Sequence, residues 1–284
     1  MKTLLINSLI PLFLLGTLTG FSQSEPRPDS LDSKTKDHQF FTGAGYGSDL
    51  IYYGTSVSGN QPFFSAEMLY AWDKGIWASA GLFHLTEKDP FFSFVDLSAG
   101  YSYVFNKVFD AGLSLSQYHG GESIDTTFFS DYTFLGANLG IDWLILYTTI
   151  MPGWMLAEEN SFYLLVDNTH FFKTPALGKK GSYFTFNPGV SLLFGNYAWL
   201  RHFRGQGNGG QGPGYGGNNE GFSTPLVEED FRLLDMQLSL PVEYFFGRLS
   251  VEFEPAYFIN FISDQNGDKE GRFFFTLGLY YKIN

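Results

Sequence analysis

The sequence predicts an all-β fold, a transmembrane antiparallel up-and-down β-barrel of about twelve strands, with ten or fourteen as the neighbouring counts. Three observations predict it. From residue 40 to the C-terminus, short runs of alternating apolar and polar residues recur, each closed by a turn signal. Aromatic residues form 19% of the 284-residue chain (32 Phe, 17 Tyr and 5 Trp), a load that needs an apolar solvent. Beyond the N-terminus every apolar run is interrupted by Asp, Glu, Asn, Ser or Gly, so the stretches of about 18 residues that a membrane helix needs are missing. A mean hydropathy of -0.06 fits strands with one lipid face and one watery face.

The elements follow in order. Lys2, an apolar core over 4–18 and the small residues Gly20 and Ser22 read as a secretory signal peptide over 1–22, cleaved in the mature chain. No Cys stands at the cut, so the mature N-terminus carries no lipid. Residues 23–39 are polar, contain Pro26 and Pro28, and read as a flexible periplasmic lead-in. The barrel domain then occupies 40–284. Its expected strands are 40–53, 62–72, 75–84, 91–105, 108–118, 131–141, 143–156, 161–172, 183–197, 231–246, 249–262 and 272–283. Alternation is clearest in the tenth, where Leu234, Met236, Leu238, Leu240, Val242 and Tyr244 share one face and Asp235, Gln237, Ser239 and Glu243 the other.

An even strand count puts both termini on the periplasmic side and sorts the connections into two sets. Asp73-Lys74, Asn106-Lys107, the junction near Asp142 and Gly247-Arg248 are tight and suit periplasmic turns. The stretches 54–61, 119–130, 198–230 and 263–271 suit extracellular loops, the longest being Gly-rich over 199–230. Two connections fit poorly: 173–182 is long for a periplasmic turn, and Asp142-Trp143 lacks a turn dipeptide.

Period two then fixes which side chains face inward. The expected lumen lining includes Glu67, Asp96, Asp110, Asn138, Asp167, Asn187, Asp235, Glu243, Glu252 and Glu254, with Arg272 and Lys282 as the clearest basic partners on that face. Such an interior carries a negative field. In a water-filled pore it favours cations; in a narrow bore the same acids are hydrogen-bonded within a plugged interior. Glu252 and Glu254 share a face and repel one another unless solvated or bridged by a cation.

Other chemistry finds little support. The net charge of -12, which becomes -13 once Lys2 is removed, makes nucleic acid a poor partner. Phosphate-loop, CxxC and HExxH signatures are absent, and no cofactor or metal site is expected. The glycines of 204–221 precede no helix pattern, so they do not make a phosphate cradle. His119-Gly120-Gly121-Glu122-Ser123 holds the residue types of a nucleophile and base, but in a loop that no rigid element positions; no catalytic residue is expected. His170 takes a lipid-side register position. The oxygen-rich run 264–270 resembles part of a calcium loop without its later ligands and reads equally as a polar turn. All five Trp fall at or near strand ends, as interfacial girdles require, and the aromatics placed on the polar face (Tyr118, Phe258 and Tyr280) are too scattered for a carbohydrate slide.

Ser48-Asp49-Leu50-Ile51-Tyr52-Tyr53-Gly54-Thr55-Ser56-Val57-Ser58, followed by Pro62, Ala66 and Gly75-Ile76-Trp77-Ala78-Ser79, resembles the TorF-like (Gcw_chp) group of outer-membrane putative porins. Tyr53 stands where that family has an arginine, so no lumen role of that arginine transfers. The leader and the aromatic load are similar to those of Bacteroidota barrels. The closing segment 273–284 resembles the last strand that the barrel-assembly machinery engages, although it ends in Asn284 rather than an aromatic residue. The expected protein is thus a bacterial outer-membrane barrel in contact with lipid, acting as a passive, acid-lined, cation-preferring channel for small solutes. The alternative is a closed barrel serving as a structural or accessory subunit of an envelope complex, with its extracellular loops as the contact.

Overall fold

The computed structural model describes residues 37–52, 55, 56, 58, 60–86, 91–120, 132–156, 161–178, 181–195, 231–261 and 271–284. The leader 1–22, most of the lead-in 23–39, the 199–230 loop, residues 121–123 and the 264–270 run lie outside them. The described residues form a closed, antiparallel, twelve-stranded barrel. Its strands are β1 His38–Gly47, β2 Phe63–Trp72, β3 Ile76–Leu85, β4 Phe94–Val104, β5 Phe109–Gly120, β6 Tyr132–Asp142, β7 Tyr147–Leu156, β8 Ser161–Thr169, β9 in two pieces (Tyr183–Phe186 and Gly189–Gly195), β10 in two pieces (Arg232–Ser239 and Val242–Phe246), β11 Leu249–Asn260 and β12 Gly271–Lys282. Sequence neighbours pair throughout, and β12 returns to β1 from Phe41↔Lys282 to Gly47↔Thr276. The ten unbroken strands run nine to twelve residues, about the length that spans a bilayer when tilted.

Strand faces alternate as the sequence pattern requires. In β2, Phe63, Ser65, Glu67, Leu69 and Ala71 are buried while Phe64 and Met68 are exposed. The same alternation leaves Leu82, Leu97, Leu113, Leu115, Leu135, Leu139, Phe253, Leu277 and Leu279 on the outside. A soluble protein does not ring itself with such a belt; a hydrocarbon solvent requires one.

Several expectations are corrected in detail. The first strand starts at His38 and ends at Gly47 instead of running to residue 53, because Ser48 closes the ladder by a backbone bond to Phe275 O (3.0 Å) and the chain then turns inward. Strands nine and ten each break at a proline, Pro188 and Pro241, whose missing N–H cannot join a ladder. The break is bridged by Asn187 N donating to Pro241 O at 3.0 Å. A bulge opposite Leu193 and Phe194 inserts Leu234, which is buried with the interior cluster rather than sharing the outer face of Met236 and Leu238. The seventh strand begins at Tyr147, since 143–146 form a tight turn closed by Trp143 N to Leu146 O (2.8 Å), with Leu144 at φ 74°. The long 173–182 connection is itself folded: Phe172–Lys173 pairs with Phe186 and Thr185, and Leu177 bridges Ser182. Trp77 is not in a girdle; it points inward.

Inward rings lie on glycines of the neighbouring strand. A Cβ on Gly153 would sit 2.1 Å from Tyr163 Cζ, its register partner, and one on Gly100 would sit 2.5 Å from Trp77 Cζ2. Only glycine leaves room for the ring to lie flat against the backbone. Gly153→Val therefore overpacks the barrel, with an expected loss of about 1–3 kcal/mol, read as a lower urea midpoint for the refolded barrel; Tyr163→Ala in the same chain recovers part of it by removing the clashing ring.

Candidate functional site

The interior holds an apolar cluster and a set of acids. Toward the end that carries the long loops, Phe63, Phe83, Leu85, Phe94, Tyr118, Phe134, Met155, Tyr163, Leu193 and Leu234 form one packed apolar cluster. Phe83 and Phe94 stack at 4.3 Å between centroids, and Phe134 meets Tyr118 at 5.7 Å and Tyr163 at 5.9 Å, both edge-on. Sequence reasoning missed this layer. Its members sit near strand ends on the face taken to be polar, where they look like interfacial aromatics, and only closure of the barrel brings them together.

The segment after β1 completes the layer. The described residues after β1, expected to run from a strand into an external loop, enter the barrel instead: Leu50 joins the apolar cluster, and Ile51 packs with Ala256, Phe258 and Phe274 of β11 and β12. Ile51–Tyr52 and Thr55–Ser56 pair as a short hairpin. Asp49 anchors it. The buried carboxylate accepts from the hydroxyls of Ser56 and Ser58 (2.8 Å for Ser58) and from Arg272 Nη1 at 3.2 Å, while Ser58 Oγ accepts Leu50 N at 2.9 Å. Asp49, Leu50, Ile51, Ser56 and Ser58, among the residues that carry the TorF-like resemblance, therefore belong to an inward-folded latch.

Acids share this interior. Glu67, Asp96, Asp110, Asp167, Asp235, Glu243, Glu252 and Glu254 are all buried, Asp167 completely at 0% exposure, and Asn138 and Asn187 are half-buried. Asp96 and Asp235 stand opposite Tyr118 and Leu193 of the apolar cluster, whereas Asp110, Asp167, Glu243 and Glu252 lie nearer the short turns. Hydroxyls hold several of these acids. Tyr147 donates to Asp110 (2.9 Å to Oδ2), Ser191 to Asp167 (2.6 Å), Ser65 to Glu67 (3.0 Å) and Ser98 to Asp96 (3.0 Å). Glu243 and Glu252 are direct cross-strand partners, and Glu254 follows on the same inward face of β11. One oxygen each of Glu67 and Glu243 is buried without a hydrogen-bond partner among the described residues. Against these eight acids, the buried or half-buried basic side chains of the described strands are Arg272, held by Asp49, and Lys282, whose Nζ lies 5.6 Å from the Phe41 ring centre.

Among the described residues no three Asp, Glu or His side chains converge as ligands of one metal ion. His84 stacks on Phe64 and Phe91, His170 meets Ile145 and Phe172, and His38 stacks on Tyr70 and Trp72; each lies on the outer surface, away from the interior serines.

The barrel is similar to the KdgM porin, with a TM-score of 0.50 and 9% sequence identity over 86% of this chain and 99% of that one. The fold is a porin-like barrel. The NanC porin gives a TM-score of 0.47 at 11% identity over 86% of this chain and 100% of that one. LpxR from Salmonella typhimurium gives 0.45 at 8% identity over 85% and 99%. At such identities the likeness is one of fold. No family model matches the chain, so the TorF-like resemblance rests on the residues quoted for it. No curated protein sequence matches it.

Asp49→Ala should release the latch, since it leaves Arg272 and two serine hydroxyls without their acceptor, at a cost of about 1.5–3 kcal/mol for bonds to a charged group. Limited proteolysis is expected to cut Asp49→Ala within 48–60 while the strands stay protected, whereas Asp49→Asn, which keeps an acceptor oxygen, should stay largely intact.

Proposed function

We propose that the protein is an outer-membrane, porin-like channel that admits small solutes and prefers cations. The observation that supports this reading is the set of eight buried carboxylates on a common interior, opposed by only two basic side chains of the described strands, one already held by Asp49. Acids so placed lower the energy of a passing cation and raise that of an anion, the more so where the walls exclude water. The apolar belt supports the location, with lipid as the surrounding partner. The amphipathic β12, which resembles the strand that such machinery engages, suits engagement by the barrel-assembly machinery during biogenesis. The apolar layer in series with the acids acts as a hydrophobic constriction, which gates by excluding water and opens when the layer parts. The outward-facing histidines favour transport over catalysis.

The packed apolar layer also favours a second reading, a closed barrel acting as a structural or accessory subunit of an outer-membrane complex, with its extracellular loops meeting an envelope partner. Single-channel recording of the refolded mature chain in a planar bilayer separates the two. A channel shows discrete steps whose reversal potential under a salt gradient is that of a cation-selective pore, and Glu252→Gln with Glu254→Gln moves the cation-to-anion permeability ratio toward unity. A folded barrel that never conducts sinks the channel reading and leaves the accessory subunit.

A further inference from the structure

We propose that the β4–β5 and β6–β7 turns are immersed in the lipid of the leaflet at the short-turn end, so that the barrel sits obliquely in its membrane. The inference rests on the membrane location proposed above and is independent of conduction.

The β6–β7 turn is Trp143-Leu144-Ile145-Leu146, four apolar residues in succession at a tight turn. Leu144 is 92% exposed and Ile145 75%. The neighbouring β4–β5 turn adds exposed Phe105 and Val108. Side chains that stand out this far line no groove, which suits a fluid solvent better than a fitted protein partner.

The second observation is the backbone. Hydrocarbon tolerates a turn only if its polar groups are satisfied from within. In the β4–β5 turn, Asn106 Oδ1 accepts from Val108 N (2.8 Å) and Phe109 N (3.0 Å). In the β6–β7 turn, Asp142 Oδ1 accepts Leu144 N (2.7 Å), Trp143 N donates to Leu146 O (2.8 Å), Trp143 Nε1 donates to Thr148 Oγ1 (3.1 Å), and His170 Nδ1 bonds Ile145 O. The two turns are tied together by Asp142 N donating to Val108 O at 2.8 Å. Val108 N, Phe109 N, Trp143 N, Leu144 N and the Ile145 and Leu146 carbonyls thus have partners within the protein, while the apolar side chains of the turns stand outward.

The third observation is asymmetry. Exposed Tyr101, Leu113 and Leu139 carry the lipid-facing belt down to these two turns without a break. The β6–β7 turn holds no charged residue over 143–146 and the β4–β5 turn holds Lys107, whereas the other tight turns at the same end are Asp73-Lys74 and Gly247-Arg248, with Lys74 and Arg248 exposed. A waterline normal to the barrel axis would either strand Leu144 in water or submerge Lys74 and Arg248. A tilted one does neither, and Lys107 reaches the headgroups by extending along its stem.

The chain lacks cysteine, so single substitutions Leu144→Cys, Lys74→Cys and the mid-belt control Leu115→Cys can each carry an environment-sensitive fluorophore in the full mature chain, refolded into phospholipid vesicles. The proposal expects the label at position 144 to behave like that at 115, quenched by brominated lipid and severalfold less by iodide on both sides of the membrane than the label at 74. Iodide quenching at 144 equal to that at 74 overturns it, and so does protection from both quenchers that disappears when the protein is diluted among vesicles, which marks contact with a second copy. If the label at 115 also escapes lipid quenching, the membrane location itself falls and takes the proposal with it; lipid quenching at 115 with water access at 144 overturns the tilt alone.

Discussion

Closure of the hydrogen-bonded ladder is the constraint on which the rest of this structure depends. A strand in hydrocarbon has no water for its N–H and C=O groups, and an unpaired edge is untenable there. The seam between β1 and β12 removes that edge, and the last residue finishes it. Asn284 Oδ1 accepts Phe40 N at 2.9 Å, its Nδ2 donates to His38 O at 3.3 Å, and Arg248 Nη1 holds Ile283 O at 3.0 Å. Asn284 thus caps the strand it meets at the seam.

Once the ladder is closed, the interior must be filled by what the strands supply. Twelve strands enclose too little space for a wide aqueous pore. The chain fills that space with ring and aliphatic packing centred near the loop end and with carboxylates, several held by hydroxyls, that run from this cluster down to the short turns. The inward latch at Asp49 binds the apolar layer to β12 through Arg272, so the same basic residue that offsets part of the acidic charge also fixes the closed arrangement.

Much of the barrel was legible in the sequence, because period two and turn residues are local signals. Strand number, the order of tight and long connections, and the inward register of Glu67, Glu252 and Glu254 all follow from alternation along each strand. The breaks at Pro188 and Pro241 were legible in principle, since a proline cannot donate to a ladder, but the aromatic alternation on either side read through them. The inward position of Leu234 was not legible, for a bulge changes the parity of everything beyond it and its site depends on the partner strand.

By itself the sequence determined an amphipathic, acid-faced set of strands that only a membrane and a closed barrel accommodate, because that information resides in the spacing of neighbouring residues. Tertiary structure alone decided that Asp49, Leu50 and Ile51 fold inward, that Trp77 and the Phe83–Phe94 pair face the interior, and that residues 143–146 form an apolar turn tied to His170. Each of these depends on partners distant in the chain, such as Arg272 for Asp49 and His170 for Ile145, which come within reach only when the ladder has closed.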